Sequence, residues 1–315
     1  MARFAVRRIA QMLLVLFAVS VLTFLIFNVI PGGDPARRMA GREPDPGQLQ
    51  RIRHDWGFDK PVYVQYAKTI GKTVSGNLVS YSTQQNVVQE LGKRAPRTFA
   101  LAVGAAIMWM ALSVVLGLYT AVRAGRFSDR FLTILALVGI SMPVFWIGAL
   151  MNYYLGFKLG LFPNGGYVPL TDNPVQWLYH LLMPWTALSI LFIGLYSRVL
   201  RSNVLDTMND DYVRTARAKG LSERHVLVRH VLRNSLIPIV TLWGLDFGAV
   251  LGGGTILTET VFDLQGVGQY AAESIGQLDV PPVLAVTMFG AFFIVLLNTV
   301  VDIVYAAIDP RIRVS

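Results

Sequence analysis

Six stretches of the chain are apolar over lengths that match a membrane helix. A helix needs roughly 20 apolar residues to cross a bilayer, so runs of that length without Lys, Arg or Glu indicate crossings. The runs cover residues 9–30, 98–122, 131–155, 177–197, 235–257 and 283–304. Only Asp246 in the fifth and Asp302 in the sixth interrupt them with a charge. The pattern predicts an all-α integral membrane protein with six transmembrane helices.

A polar segment, residues 31–97, separates the first two runs and has its own helical pattern. Asp45 and Pro46 suit the N-cap and the first position of a helix, and Pro61 suits the start of a second one. Apolar residues recur at helical spacing after each start. We expect two short helices lying on the outer surface; a docking surface for an external partner is the alternative.

Another amphipathic stretch lies between the fourth and fifth runs. Asp210 and Asp211 favour a helix start, because acidic groups stabilise the N-terminal end of the helix dipole. Gly220 permits a left-handed turn that ends this helix, and Ser222 can cap the next. Such a basic helix can lie on anionic lipid or dock onto a soluble partner. The small residues Ala216 and Gly220 favour docking, because they allow close backbone approach.

Composition supports the membrane assignment. Hydrophobic residues make up 54% of the chain and charged residues only 15%, against about 25% charged in ordinary globular domains. The net charge of +9 reflects orientation and lipid contact in such a protein rather than nucleic-acid binding. Cysteine is absent, which excludes disulfides and thiolate metal sites. The first run exceeds the ~7–15 residues of a signal-peptide core, so we expect it to be a retained helix.

The distribution of Lys and Arg predicts the orientation. These residues concentrate before the first run, between the second and third, between the fourth and fifth, and after the sixth, whereas loops 156–176 and 258–282 hold only Lys158. Segments rich in Lys and Arg lie in the cytoplasm. Both termini are therefore predicted to be cytoplasmic and 31–97 extracytoplasmic, since long loops cross largely regardless of charge.

No set of residues in the chain forms a recognisable reaction centre. Residues 70–73 and 266–271 resemble nucleotide-binding loops but lack the required glycine or strand, and the four histidines show no metal-ligand spacing. Asp246 and Asp302 are candidates because an ionisable side chain at membrane depth is by default functional. Asp246 is the candidate for a translocation path. The alternative is that each aspartate bonds a polar group on a neighbouring helix.

Several motifs together resemble the ABC-importer permeases of the dipeptide, oligopeptide and nickel family, specifically the first permease subunit. They are residues 212–221, 229–234 with Pro238, 141–148, 259–268 and 306–313, so the resemblance covers essentially the whole chain. The wider importer pattern E-A-A-x-x-x-G is only partly kept. Arg214 and Thr215 replace its first two residues, whereas Ala216 and Gly220 agree with it. Residues 75–79 also depart from an expected G-D-L-G turn.

The resemblance implies a fold and a set of functional residues. The fold is the type I ABC importer permease fold, also called MetI-like, with a cytoplasmic coupling helix. Residues implied to couple to an ATPase subunit are Tyr212, Arg214, Thr215, Ala216, Lys219, Gly220 and Leu221. Residues implied to form an extracytoplasmic gate or a contact with a binding protein are Glu259, Phe262, Gly266 and Gly268.

The resemblance also implies a division of labour. The expected partners are a second homologous permease, two ATP-binding subunits, an extracytoplasmic solute-binding protein and membrane lipid, with no nucleic acid. This chain would carry no cofactor, catalytic residue or metal, while ATP and Mg²⁺ serve the partner subunits. Short peptides are the expected solute; nickel or another small solute, or less favourably a stand-alone secondary transporter, are the alternatives.

The expected organisation places the protein in the cell membrane with several crossings. Residues 1–30 form the cytoplasmic N-terminus and first helix, and 31–97 the extracytoplasmic helical segment. Residues 98–308 form a five-helix core that includes the coupling loop 201–234. Residues 309–315 form a cytoplasmic tail.

Overall fold

The computed structural model describes residues 2–26, 36–37 and 45–308. This part of the chain is helical apart from its turns and one isolated antiparallel bridge between Val79 and Asn86. Five of its helices are long and apolar enough to cross a membrane. They are α1 (Ala2–Phe24), α4 (Val87–Val122), α7 (Pro174–Thr207), α9 (Glu223–Gly254) and α12 (Val280–Ile308). The predicted all-α membrane architecture is confirmed.

The third predicted span, residues 131–155, is broken by a sharp bend. Helix α5 (Phe127–Ser141) and helix α6 (Val144–Lys158), whose second half is π-helical, meet at a bend of 101°. Met142, between them, has extended backbone angles (φ −94°, ψ 131°). A residue before proline avoids the helical region because the proline ring clashes with it, and here Pro143 follows.

The broken pair nevertheless runs from one end of α7 to the other. At the start of α5, Asp129 bonds Arg201 near the C-terminal end of α7. After α6, the carbonyl of Leu161 accepts a hydrogen bond from Tyr179 near the N-terminal end of α7. Because the chain advances along the whole of α7, we count α5 and α6 as one broken span. Six crossings result, as predicted.

The centre of the bundle is the contact between α4 and α7. A Cβ on Gly104 would lie 2.0 Å from the ring of Trp185, so glycine is needed for this approach. Trp185 Nε1 donates to the Ala100 carbonyl at 2.9 Å, and Trp243 Nε1 of α9 donates to the Ala106 carbonyl at 3.0 Å. Such bonds satisfy buried indole N–H groups that would otherwise be costly. Three long helices are thereby fixed together.

The segment between the first two predicted spans contains the two predicted short helices, α2 (Pro46–Trp56) and α3 (Val62–Val74). Helix α3 rests on α1, where Ser20 and Tyr66 share a hydrogen bond of 2.6 Å. Asp279 fixes the following loop by accepting from the backbone N–H of Tyr81 at 2.9 Å and from the Ser80 hydroxyl. The segment is therefore packed against the core of the chain.

Helix α4 begins at Val87, eleven residues before the predicted span at Thr98, and runs through the predicted boundary between 97 and 98. That division of the chain stays a prediction. The end of the first predicted span at Ile30, the tail 309–315 and the side chain of Asp302 lie outside the described residues.

Candidate functional site

The segment between α7 and α9 forms the predicted short helix and glycine turn. Helix α8 (Asp211–Ala218) ends before Gly220, whose φ of +80° lies in the left-handed region. The Leu221 N–H donates to the Ala216 carbonyl at 3.4 Å, as in a Schellman motif. The left-handed turn is confirmed. Ser222 occupies the N-cap position of α9 but makes no side-chain capping bond.

One face of α8 is buried against the chain's own helices. Val213 is fully buried and Ala216 is 6% exposed. Both belong to one apolar cluster with residues from α4, α7 and α9: Ala121, Tyr196, Leu200, Val204, Val226, Val231 and Ile239. The small side chain of Ala216 therefore serves packing within the chain, and its predicted part in coupling to an ATPase subunit stays a prediction.

The opposite face of α8 is exposed and basic. The side chain of Arg214 is 68% exposed, and Tyr212, Thr215, Lys219 and Leu221 are also exposed. Among the described residues Arg214 pairs only with Asp211, at 3.6 Å, and this exposed pair contributes little to stability. Of the seven residues predicted to couple to an ATPase subunit, only Ala216 is buried.

Polar contacts also fix α8 to α9, and the sequence pattern does not reveal them. Asn234 Nδ2 donates to the Tyr212 hydroxyl at 2.7 Å. Arg217 Nε donates to Glu223 Oε1 at 2.9 Å across the glycine turn. Asn234 belongs to the motif 229–234, and nothing in the sequence pattern indicates its partner. Together with the apolar cluster, these contacts make α8 and the start of α9 one packed unit.

Asp246 lies in α9 and has a partner on α7. The Tyr196 hydroxyl, itself buried, donates to Asp246 Oδ2 at 2.6 Å. A carboxylate in a span needs such a polar group because lipid offers none. This is the alternative in which Asp246 bonds a neighbouring helix, and the structure confirms the bond. Asp246 is also partly exposed, and its role in a path stays a prediction.

At the end of the bundle opposite α8, Glu259 caps a helix. It lies on α10 (Ile256–Val261) and is 0% exposed. Its Oε2 accepts from the Gln269 N–H at 2.9 Å, in the first turn of α11 (Val267–Gly276). Its Oε1 accepts from the Thr98 hydroxyl at 2.8 Å, and that hydroxyl accepts from the Val267 N–H. Burial raises the pKa of the Glu259 carboxyl, and these donors oppose the rise.

The glycines after Glu259 make room for its carboxylate. A Cβ on Gly266 would lie 2.4 Å from Glu259 Oε2, and one on Gly268 would lie 2.8 Å from the Ile256 Cα. Phe262 is 1% exposed and covers Gly148 of α6. All four residues predicted to form a gate or a binding-protein contact are therefore buried, and their contact with a binding protein stays a prediction. A role as a gate stays a prediction.

Two family models together match most of the chain. The model described as "Binding-prot-dependent transport system membrane comp, N-term" matches residues 1–102. The model described as "Binding-protein-dependent transport system inner membrane component" matches residues 113–314. The second match alone covers more than half of the chain and includes α8, Asp246 and the Glu259 cap.

Curated relatives match over nearly the full length. A putative peptide transport system permease protein of Brucella abortus (strain 2308) is 36% identical over 314 residues, covering 99% of each chain. A probable peptide ABC transporter permease protein of Sinorhizobium fredii (strain NBRC 101917 / NGR234) is 34% identical, covering 99% of this chain and 100% of that one. The glutathione transport system permease protein GsiC of Escherichia coli (strain K12) is 35% identical, covering 99% of each.

Proposed function

Because this chain belongs to the family of inner-membrane components of binding-protein-dependent transport systems, we propose that it forms, with a second permease, the path of an ATP-driven importer for short peptides. The chain is an ABC-transporter permease and not an enzyme. It is a multi-pass membrane protein. The observation that carries the proposal is the near full-length similarity to permeases named for peptide and glutathione transport.

Two observations support the proposed partners: the sequence has no nucleotide-binding motif, and the family is described as dependent on a binding protein. The sequence carries no nucleotide-binding motif, so we assign ATP and Mg²⁺ to two ATP-binding subunits. The family is described as binding-protein-dependent, which supports an extracytoplasmic solute-binding protein that delivers the peptide. A second homologous permease would complete the path, with membrane lipid around both.

The exposed face of α8 is the surface we assign to contact with an ATP-binding subunit. Arg214 and Lys219 supply positive charge there, and Leu221 supplies apolar surface. Gly220 contributes by ending the helix, and Ala216 by packing it to the chain. The contact residues in this proposal are Tyr212, Arg214, Thr215, Lys219 and Leu221.

Motion of α8 can reach the path because α8 is packed to the two helices that carry Tyr196 and Asp246. The cluster around Val213 joins α8 to α7 and α9, and closely packed elements move as rigid bodies. Closure of the ATP-binding subunits would displace α8 and shift these spans between two arrangements. ATP would then bias the populations of inward-open and outward-open states.

Deletion of the gene should abolish the saturable uptake of a labelled tripeptide by intact cells, and the wild-type gene should restore it. The Arg214→Glu variant should insert normally, because Arg214 is exposed, yet should neither co-purify ATP-binding subunits nor restore uptake. Uptake is measured with and without excess unlabelled peptide, free amino acids and nickel chloride.

Arg130→Glu serves as the matched control, because Arg130 is also exposed but lies in α5. It should restore uptake. Competition by nickel and not by peptide would refute the solute assignment alone. Normal subunit co-purification by the Arg214→Glu variant would refute the contact surface.

The cysteine-free sequence allows the orientation to be tested directly. We expect Ser222→Cys, in the turn before α9, and Ser75→Cys, after α3, to react with a membrane-impermeant maleimide from opposite sides. Both serines are exposed. A cysteine at Ser80, in the same segment as Ser75, would react poorly with the maleimide, because Ser80 is buried against Asp279. Ser75→Cys should label in intact cells and Ser222→Cys only after permeabilisation. Labelling of both in intact cells would contradict the six-crossing orientation with cytoplasmic termini.

A further inference from the structure

An ion pair between two spans lies beside a cavity. None of the residues that line this cavity takes part in the transport mechanism proposed above. Asp129 of α5 accepts from Arg201 Nε and Nη2 of α7, each at 2.8 Å, and from the Gly125 N–H at 2.9 Å. Such a two-bond pair satisfies both charges in one fixed geometry. Both oxygens of the Asp129 carboxylate are therefore bonded to Arg201, and neither forms an ion pair with Arg198.

The cavity beside this pair is apolar and opens to the outside of the bundle. Its volume is about 160 Å³, similar to the ~150 Å³ that admits benzene in an engineered protein interior. Exposed Leu135 lies at its mouth. The apolar lining comes from α4, α5 and α7 and includes Leu116, Leu132, Leu135, Ala136, Ile190 and Ile193. Several methylene groups of a hydrocarbon chain fit such a space.

A cation without a partner lies at the edge of the cavity. Arg198 lines it and is exposed, and within the described part of the chain its side chain makes no hydrogen bond or ion pair. No acidic side chain lines the cavity. Three hydroxyl-bearing residues, Thr120, Thr133 and Ser197, also line it. A guanidinium favours phosphate because its N–H groups match the phosphate oxygens in pairs.

We propose that this cavity binds an anionic phospholipid, with part of one acyl chain among the leucines and the phosphate on Arg198. The occupant is a lipid because the cavity opens between membrane-spanning helices, and Leu135, which lines it, is exposed on their surface. Basic pockets between membrane helices select anionic head groups in this way. Charge complementarity at Arg198 and the apolar cavity are independent observations that point to the same ligand.

The test uses the complete transport complex purified in detergent and titrated with dioleoyl phosphatidylglycerol or dioleoyl phosphatidylcholine. Native mass spectrometry counts the lipid that is retained. We expect phosphatidylglycerol to be retained preferentially, and Arg198→Gln to weaken its binding about fivefold, the effect of one basic residue near a membrane surface. Leu135→Trp, which blocks the mouth without touching the ion pair, should also reduce retention.

The matched control is Arg130→Gln, which removes an equally exposed arginine of α5 that does not line the cavity. It should leave retention unchanged. Equal retention of both lipids, or an equal loss in the Arg130→Gln and Arg198→Gln variants, would overturn the proposal. A photoactivatable phosphatidylglycerol should cross-link to residues 132–136 in the assembled complex. If the probe cross-links to other parts of the complex and not to these residues, the lipid assignment is wrong.

Discussion

Ala216→Glu should prevent the chain from folding, although it changes one small residue on a short surface helix. Ala216 lies in an apolar cluster with residues of α4, α7 and α9. An unpaired carboxylate there loses its hydration without gaining a partner, which costs on the order of several kcal/mol. Net stabilities are only about 5–15 kcal/mol, so this loss is large. The measurements are the yield of monodisperse protein after detergent extraction and its thermal unfolding.

Ala218→Glu is the matched control, because it makes the same substitution two residues along the helix at an exposed position. It should give a normal yield and normal unfolding, whatever its effect on partner binding. Equal yields from the two variants would show that the buried face of α8 has been assigned wrongly. If the Ala216→Glu variant lost partner binding at normal stability, Ala216 would instead contact the partner.

Glu259→Leu should release the first turn of α11 and destabilise the outer end of the bundle. The substitution removes the acceptor for the Gln269 N–H and the Thr98 hydroxyl, both buried. Each buried donor left without a partner costs about 1–3 kcal/mol, so we expect a loss of about 2–4 kcal/mol. Hydrogen exchange at the amides of 267–269 should accelerate, and thermal unfolding should begin at a lower temperature.

Glu259→Gln is the conservative control for this site. It keeps an oxygen that can accept from the helix N-terminus and nearly the same volume, so it should retain most of the protection at 267–269. Gly266→Ala should resemble Glu259→Leu, because its Cβ would lie 2.4 Å from Glu259 Oε2. Unchanged exchange in the Glu259→Leu variant would exclude the capping role.

The spans could be predicted from the sequence because lipid tolerates little charge. The predicted ends of a span differ from the ends of its helix where the helix continues outside the membrane or where a proline breaks it. Helix α4 begins at Val87, before the apolar run. Its first turns carry the charged residues Glu90, Lys93 and Arg94, which an apolar run excludes although a helix can contain them. The break at Pro143 has a local signal in Met142-Pro143, but an unbroken apolar run conceals it. Helical periodicity alone does not distinguish a kinked crossing from a straight one.

The sequence predicted where the candidate sites lie along the chain, but not which residues their side chains contact. The spacing of Val213 and Ala216 shows an apolar stripe on α8, and such a stripe serves equally for internal packing or for a partner. Only the contacts with α7 and α9 decide between them. Glu259 was visible as a motif, but its partner Thr98 is 161 residues away. No local pattern reveals a contact over that distance.

The packing of α8 onto its own chain has a thermodynamic consequence for assembly. A segment that folds only on binding loses backbone freedom at that moment, which weakens the complex. Here Val213, Ala216 and the Tyr212–Asn234 bond already hold the helix in place. A subunit that docks on it therefore restricts only exposed rotamers such as those of Arg214 and Lys219. Association should then show the small heat-capacity change of preorganised surfaces meeting, and not the large one of coupled folding.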